Sequence, residues 1–318
     1  MPGANVGSMG ELLVEFVATA RNGRHRVPGQ YIGPFASGAP GIFIDQAAKC
    51  GGNCILVGAV GDDAFGSVLL DRLEKDGVDM RLIKRVSGVP TGTAFVSCND
   101  DGGRDFVYNV SLSAASRFEA DQATIAALAG FDLDVFHVSG SALADPGIAA
   151  KIMKVCDTLH AWGVKISFDP NVRRELLGGL EYNKAVHDLM ARCSIFLPSE
   201  EDAGLLFPGE GIESFAPKLL SQGANCVVLK NGAQGAEAVT GDGRRVSLKA
   251  HSVEAVDPTG AGDCFCATFV TLMAGGKHDL RAALERANAA GALAVMKTGP
   301  MEGVSTLGEI ETFLAARR

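Results

Sequence analysis

Past residue 130 the chain alternates between short, almost unbroken apolar runs and longer amphipathic ones. D-V-F-H-V-S (134–139), V-K-I-S-F-D (164–169), S-I-F-L-P (194–198) and N-C-V-V-L-K (225–230) have the length and composition of buried strands. Between them, 146–162, 182–192 and 213–222 repeat apolar residues at helical spacing. Strands apolar on both faces, joined by helical crossovers, predict a mostly parallel sheet covered on both sides: an α/β, three-layer, doubly wound fold. Polar or small residues follow these strands: Ser139-Gly140, Asp169-Pro170-Asn171, Ser199-Glu200 and Lys230-Asn231-Gly232. Ligands of such sheets sit beyond the carboxyl ends of the strands, so a site is expected there.

The first part of the chain reads differently. N-V-G-S-M-G-E-L-L-V-E-F-V (5–17) predicts a turn feeding one apolar strand with Glu15 at its inner end. Residues 20–36 are polar, rich in Gly and Pro, and predict exposed strand and loop. S-G-A-P-G-I-F (37–43) enters a helix, and I-L-V-G-A-V-G-D-D-A-F-G (55–66) reads as a buried strand, a glycine turn and a helix start. The helix that follows has Phe65, Val68, Leu69 and Leu73 on one face and closes at Gly77. Residues 90–110 alternate around D-D-G-G, a β-hairpin signal. With the strand material before residue 36 they form a small sheet apart from the main one, a lid over about 14–36 and 90–112 on a single domain spanning 1–318.

Composition narrows the function. A chain of 318 residues that is 47% apolar can bury a large core, and 40 glycines suit many ligand-facing turns. A net charge of −8 offers no attraction for nucleic acid or an anionic membrane surface. No apolar run approaches a bilayer span and no signal-like segment opens the chain, so a cytoplasmic protein is expected. The eight cysteines include no C-x-x-C pair and read as buried free thiols.

The candidate chemistry lies in V-E-A-V-D-P-T-G-A-G-D-C-F-C-A-T-F-V-T-L-M-A (253–274), read as a strand end, a glycine turn and the opening of an apolar helix. The first amides of a helix lack intrahelical partners and attract anions. Asp263 at the same end would repel a bound phosphate, unless a phosphoryl group is in transfer and Asp263 takes the proton of the attacking hydroxyl. Plain helix capping is the alternative role for this aspartate. No Walker, Rossmann, nucleophile-elbow or zinc-protease motif occurs, so this turn carries the nucleotide argument alone.

D-P-T-G-A-G-D and the helix behind it resemble the signature of the ribokinase-like (PfkB) carbohydrate kinases, and the resemblance extends over almost the whole chain. It implies Asp263 as general base and an anion hole at Gly260, Ala261 and Gly262. G-E-L-L-V-E-F is similar to the family's first strand and implies Glu15 as a sugar ligand. S-G-A-P-G-I-F resembles its sugar-binding turn, with Gly38 and Ala39 at the substrate, although Ile42 stands where asparagine is usual. V-G-A-V-G-D-D-A-F-G-S-V-L matches another signature. P-S-E-E-D stands where the family has N-x-x-E, a motif tied to Mg²⁺ and phosphate, and the resemblance implies Ser199 at the nucleotide and Asp202 with Glu201, or Glu200 in its place, at Mg²⁺. V-V-L-K-N-G-A-Q-G-A and A-N-A-A-G-A-L-A-V imply Lys230, Gly232, Gly235 and Asn288 beside ATP.

Asn171, and Arg173 for an acid group, complete the substrate set. A family arginine before S-A-A is Val110 here, which favours a neutral ketose of the tagatose or fructose type. The alternatives are 2-keto-3-deoxygluconate, a nucleoside, or a sugar- or nucleotide-binding protein with weakened catalysis. The resemblance also implies a homodimer through the lid.

Overall fold

The structure is a computed structural model and describes residues 3–317 apart from 24, 101–102, 173–176, 178 and 277. The strands in chain order are β1 (Asn5–Met9), β2 (Leu13–Ala18), β3 (Tyr31–Ser37), β4 (Asn53–Gly61), β5 (Ile83–Val86), β6 (Gly92–Cys98) and β7 (Arg104–Asn109). They continue with β8 (Val135–Ser139), β9 (Lys165–Asp169), β10 (Ile195–Phe196), β11 (Cys226–Lys230), β12 (Ala236–Thr240) and β13 (Arg245–Leu248). The main sheet has nine strands in the order β13-β12-β11-β10-β9-β8-β1-β4-β5. From β11 to β5 every pairing is parallel, and β12 and β13 add an antiparallel edge.

The central strands are buried along nearly their whole length, as a sheet covered on both faces requires. One face packs α1 (Ala39–Lys49), α2 (Ala64–Lys75), α8 (Ala261–Ala274) and α9 (Leu280–Val295), with α10 (Leu307–Ala315) outside α9. The opposite face packs α3 (Gln122–Ala129), α4 (Pro146–Ala161), α5 (Leu180–Arg192) and α7 (Ile212–Ser221). The short α6 (Glu200–Leu206) follows β10. Three of these helices lie where the periodicity predicts them, and α2 ends one residue before Asp76–Gly77. None of the described helices is long and apolar enough to cross a membrane.

The second sheet has the order β3-β2-β6-β7. It is mixed, because β2 and β6 run parallel while β2–β3 and β6–β7 are antiparallel. The hairpin read from residues 90–110 is therefore present, with its tip at 101–102 outside the described residues. The opening run differs from its reading as one strand. It breaks at 10–12, so β1 joins the main sheet and β2, carrying Glu15, joins the small one. Behind the junction of the two sheets, Phe43 of α1 stacks on the His137 ring, 3.6 Å between centroids. Burial pushes the His137 pKa well down, and its ring nitrogens pair with the Ser167 hydroxyl at 2.9 Å and the Ser139 hydroxyl at 3.3 Å.

Candidate active site

The two sheets face each other across a cleft of about 510 Å³. On its main-sheet side, α8 starts immediately after Gly260, whose backbone is left-handed at φ 81°. A Cβ at Gly260 would lie 2.4 Å from the Pro300 carbonyl oxygen, so only glycine can make this turn. No side chain caps α8; the Ala261 amide donates to the Pro258 carbonyl at 3.4 Å, and the Gly262 amide is left for a ligand. The residues before the turn, 251–259, are irregular and not the strand end expected. Buried Asp257 fixes them: its carboxylate accepts from the Thr259 amide at 2.9 Å and the Gly299 amide at 3.0 Å. Asp263 is buried in the first turn of α8 and lines the cleft.

Lys230 approaches from the end of β11. Its ammonium donates to Asp169 Oδ2 at 2.5 Å and stands 3.7 Å from where a Cβ on Gly262 would be. Burial works against a charged lysine, but the Asp169 carboxylate outweighs it and holds the Lys230 pKa above its ordinary value. A fixed cation thus sits beside an uncapped helix N-terminus, an arrangement suited to a polyphosphate. Cys266, one turn into α8, packs its thiol against the same pair, 3.4 Å from Lys230 Nζ.

The small-sheet side is built differently. Glu15 on β2 is 3% exposed. Ser37 donates to its Oε2 at 3.3 Å, while Oε1 is buried with no hydrogen-bond partner among the described residues. Burial and the nearby Asp257 carboxylate push the Glu15 pKa up to about 7, against the pull of Ser37 and Arg104. A buried carboxylate oxygen at a cleft wall calls for a donor such as a sugar hydroxyl. Glu11 is buried alongside and accepts from Ser141 at 3.1 Å. Gly38 heads α1 with φ 101°, and a Cβ there would meet the Glu11 carbonyl oxygen at 2.4 Å. This end too has no side-chain cap, and Gly38 and Ala39 line the cleft.

Of the residues singled out by sequence, Glu15, Gly38, Ala39, Asn171, Ser199, Glu201, Asp202, Lys230, Gly232, Gly260, Gly262 and Asp263 converge on this one cleft. Ala261, Gly235 and Asn288 do not line it. Gly235 closes the β11–β12 turn against the Leu248 carbonyl, and Asn288 on α9 donates to the Lys249 carbonyl at 3.5 Å. Arg173 lies outside the described residues.

Asp202 has a defined structural task. Its Oδ2 accepts from the Ser199 amide and hydroxyl in a capping box on α6, and its Oδ1 accepts from the Val172 amide at 2.7 Å. Among the described residues no group of three or more His, Cys, Asp or Glu could hold a metal unaided.

The cleft also takes in residues without a role assigned from sequence, among them Glu11, Asp169, Ser141 and Arg104. Glu11 lies in the break at 10–12 between β1 and β2, where strand period gives no guide. Arg104 was harder to see. It lies on β7, stacks over Phe106 at 5.4 Å, and donates across the cleft to Thr259 Oγ1 at 2.8 Å. The cleft therefore has a cation from the small sheet although position 110 is valine.

Comparison with known proteins agrees with this geometry. A model of the pfkB family carbohydrate kinases matches residues 5–307. The 2-dehydro-3-deoxygluconokinase of Bacillus subtilis (strain 168) is 29% identical over 326 residues, covering 98% of this chain and 95% of that protein. Fructokinase-2 of Oryza sativa subsp. japonica is 27% identical over 323 residues, covering 98% and 94%. Among solved structures, an apo protein from E. coli provisionally called ribokinase II superposes with a TM-score of 0.92 at 38% identity, covering 98% of this chain and 99% of that one. A structure under the same provisional name, in complex with ATP and Mg²⁺, gives 0.90. The fold is thus ribokinase-like. A match running from residue 5 to residue 307 leaves little of the chain outside the family, and the protein belongs to the pfkB carbohydrate kinases, phosphotransferases whose acceptor is an alcohol group of a sugar.

Proposed function

We propose that the protein is an ATP- and Mg²⁺-dependent kinase of a ketose, tagatose- or fructose-like, phosphorylating a primary hydroxyl. The observation that carries this reading is the pairing, in one cleft, of an uncapped α8 N-terminus beside Lys230 with the buried, unpartnered Glu15 Oε1. The first suits phosphates and the second a polyol. The chain's own residues then have clear tasks. Glu15 and the Gly38–Ala39 turn hold the sugar, and Asn171 borders it. Asp263 accepts the proton of the attacking hydroxyl as its oxygen bonds to phosphorus and the bond to the departing ADP breaks. The amides of 260–263 and Lys230 meet the charge on the phosphoryl oxygens.

ATP with Mg²⁺ supplies the phosphoryl group. Mg²⁺ ordinarily takes one or two carboxylates plus phosphates and water, which fits Glu201 at the cleft wall and Asp202 already engaged as a cap. Gly232 and Ser199 line the cleft and are assigned to the nucleotide, and Gly235 and Asn288, outside the cleft lining, are kept as the residues the family resemblance assigns to ATP. The small sheet acts as a lid that excludes water.

Its outer face carries Phe16 stacked on Phe95 at 5.2 Å, Tyr31 edge-on to Phe95 at 5.5 Å, and exposed Val107. That apolar face supports a homodimer through the lids. With a net charge of −8 and no membrane-length helix among the described residues, a cytoplasmic enzyme without nucleic-acid partners is the consistent setting. Arg104 favours a second substrate reading, 2-keto-3-deoxygluconate, since a lid guanidinium can pair with a sugar carboxylate.

The test is ADP release against ketoses, sugar acids and nucleosides, with Asp263→Asn alongside. Ketose turnover that falls by roughly 10²–10⁴ in Asp263→Asn, with ATP binding kept, is expected. Undiminished turnover in that variant overturns the base assignment, and a sugar acid as best substrate moves the reading to the second. Sugar binding without any turnover identifies a binding protein.

A further inference from the structure

The cleft does not end at the sugar. Past Glu11, Leu13, Tyr108 and Ser141 it opens into a second chamber of about 460 Å³. These side chains border both spaces, and none of the residues at the phosphate turn reaches the second. The spatial order is therefore phosphate turn, Glu15 pocket, annex. The annex is framed by Val110 and Leu112, where the chain leaves the lid, and by Ala142, Ala144 and Ile148, where it enters α4. Leu112 at its mouth is 82% exposed and offers apolar surface to whatever enters. Asp145 borders it as the α4 cap, its Oδ1 accepting from the Ile148 amide at 2.9 Å.

Size and chemistry point the same way. The annex alone falls within the range of about 300–1,000 Å³ typical of a whole small-molecule site. A bare hexose held between Asp263 and Glu15 leaves most of it to water, against walls that mix leucine, valine, isoleucine and alanine with Asn109, Ser111 and Ser141. Displacing water from such walls favours an apolar group. Among the described residues the annex carries the carboxylates of Glu11 and Asp145 and no basic side chain, which disfavours an anionic substituent.

We propose that the substrate is a substituted ketose: the carbon farthest from the phosphorylated hydroxyl bears a neutral, largely apolar group that lies in the annex. The inference rests on the ketose-kinase reading of the same cleft and adds the substrate's second half.

The test compares D-fructose and D-tagatose with their 1-O-benzyl ethers on the intact protein, by calorimetric titration and by ADP release. The ethers are expected to bind at least tenfold more tightly than the parent sugars and to be turned over with a correspondingly higher kcat/KM. Ala144→Phe fills the annex from an exposed position away from the sugar and phosphate contacts. It should erase that gain while leaving the constants for the parent sugars unchanged, and Leu112→Ser, also at an exposed position, should reduce it. An ether no tighter than its parent overturns the proposal, as does a gain that survives both substitutions. Turnover of the parent sugars reports on the kinase reading separately: turnover without an ether gain removes the annex alone, and no binding of any of the four removes both.

Discussion

Glu15→Gln separates the two consequences of burying a carboxyl group at a sugar site. In the folded protein the Glu15 pKa lies at about 7, against 4.5 for a free side chain, chiefly because of burial and then Asp257. The folded state therefore holds this proton more tightly than the unfolded chain does. Its stabilising effect is complete below the unfolded value and lost as the pH rises through the folded one. The gap is worth about 3 kcal/mol, of which about 2 kcal/mol disappears between about pH 5.5 and about pH 8.5. Sugar binding runs in the opposite direction, because the ionised carboxylate is the better acceptor for hydroxyl groups. The kcat/KM for the sugar should rise with pH up to about 7.

Urea denaturation at the two pH values, with kcat/KM profiles over the same range, measures both effects. Glu15→Gln should lose about 2 kcal/mol less than wild type on going from acid to alkaline pH. Its kcat/KM should drop roughly 10- to 100-fold at high pH, the worth of a hydrogen bond to a charged group. Asp45, pushed up to about 8 mainly by burial, adds a slope of the same sign in both proteins and cancels in the difference. An acid limb unchanged in Glu15→Gln, or identical pH slopes of stability, refutes the reasoning.

Two further outcomes follow from the same geometry. Lys230→Met leaves the Asp169 carboxylate buried without its counter-ion and should destabilise the protein by about 3–5 kcal/mol. The double variant with Asp169→Asn should recover most of that stability while the KM for ATP stays elevated, and a normal KM in the double variant removes Lys230 from the phosphate site. On the lid, Val107→Glu together with Tyr31→Glu should halve the mass seen by light scattering, whereas a wild-type protein already at the mass of one chain removes the dimer.

Much of the main sheet was readable because its strands are apolar on both faces and each crossover repeats at helical spacing. The rule that ligands gather at strand ends located Lys230, Ser199 and Asn171 without reference to any relative. The small sheet was harder, because one of its four strands, β2, comes from the same apolar run as β1, and only a break at 10–12 divides them between sheets. Nothing in the local pattern of an apolar strand announces such a break. The β12–β13 edge escaped detection because a half-exposed strand at a sheet margin carries a weak hydrophobic signal. Arg104 was missed for a different reason. Its partner Thr259 lies 155 positions away, and pairings of that range are set by tertiary packing.

The junction at Ser37-Gly38-Ala39 has a consequence for how the enzyme works. β3, an edge strand of the small sheet, passes through Gly38 alone into α1, so in the proposed reading the joint of the lid is also part of the sugar seat. Any swing wide enough to admit a sugar turns Gly38 and tilts the amides it presents. On that reading the open enzyme offers only part of its seat, and the guest completes it by shutting the door. Letting the phosphorylated sugar go and unfastening the cover are then coupled, and a substitution at Gly38 is expected to slow both.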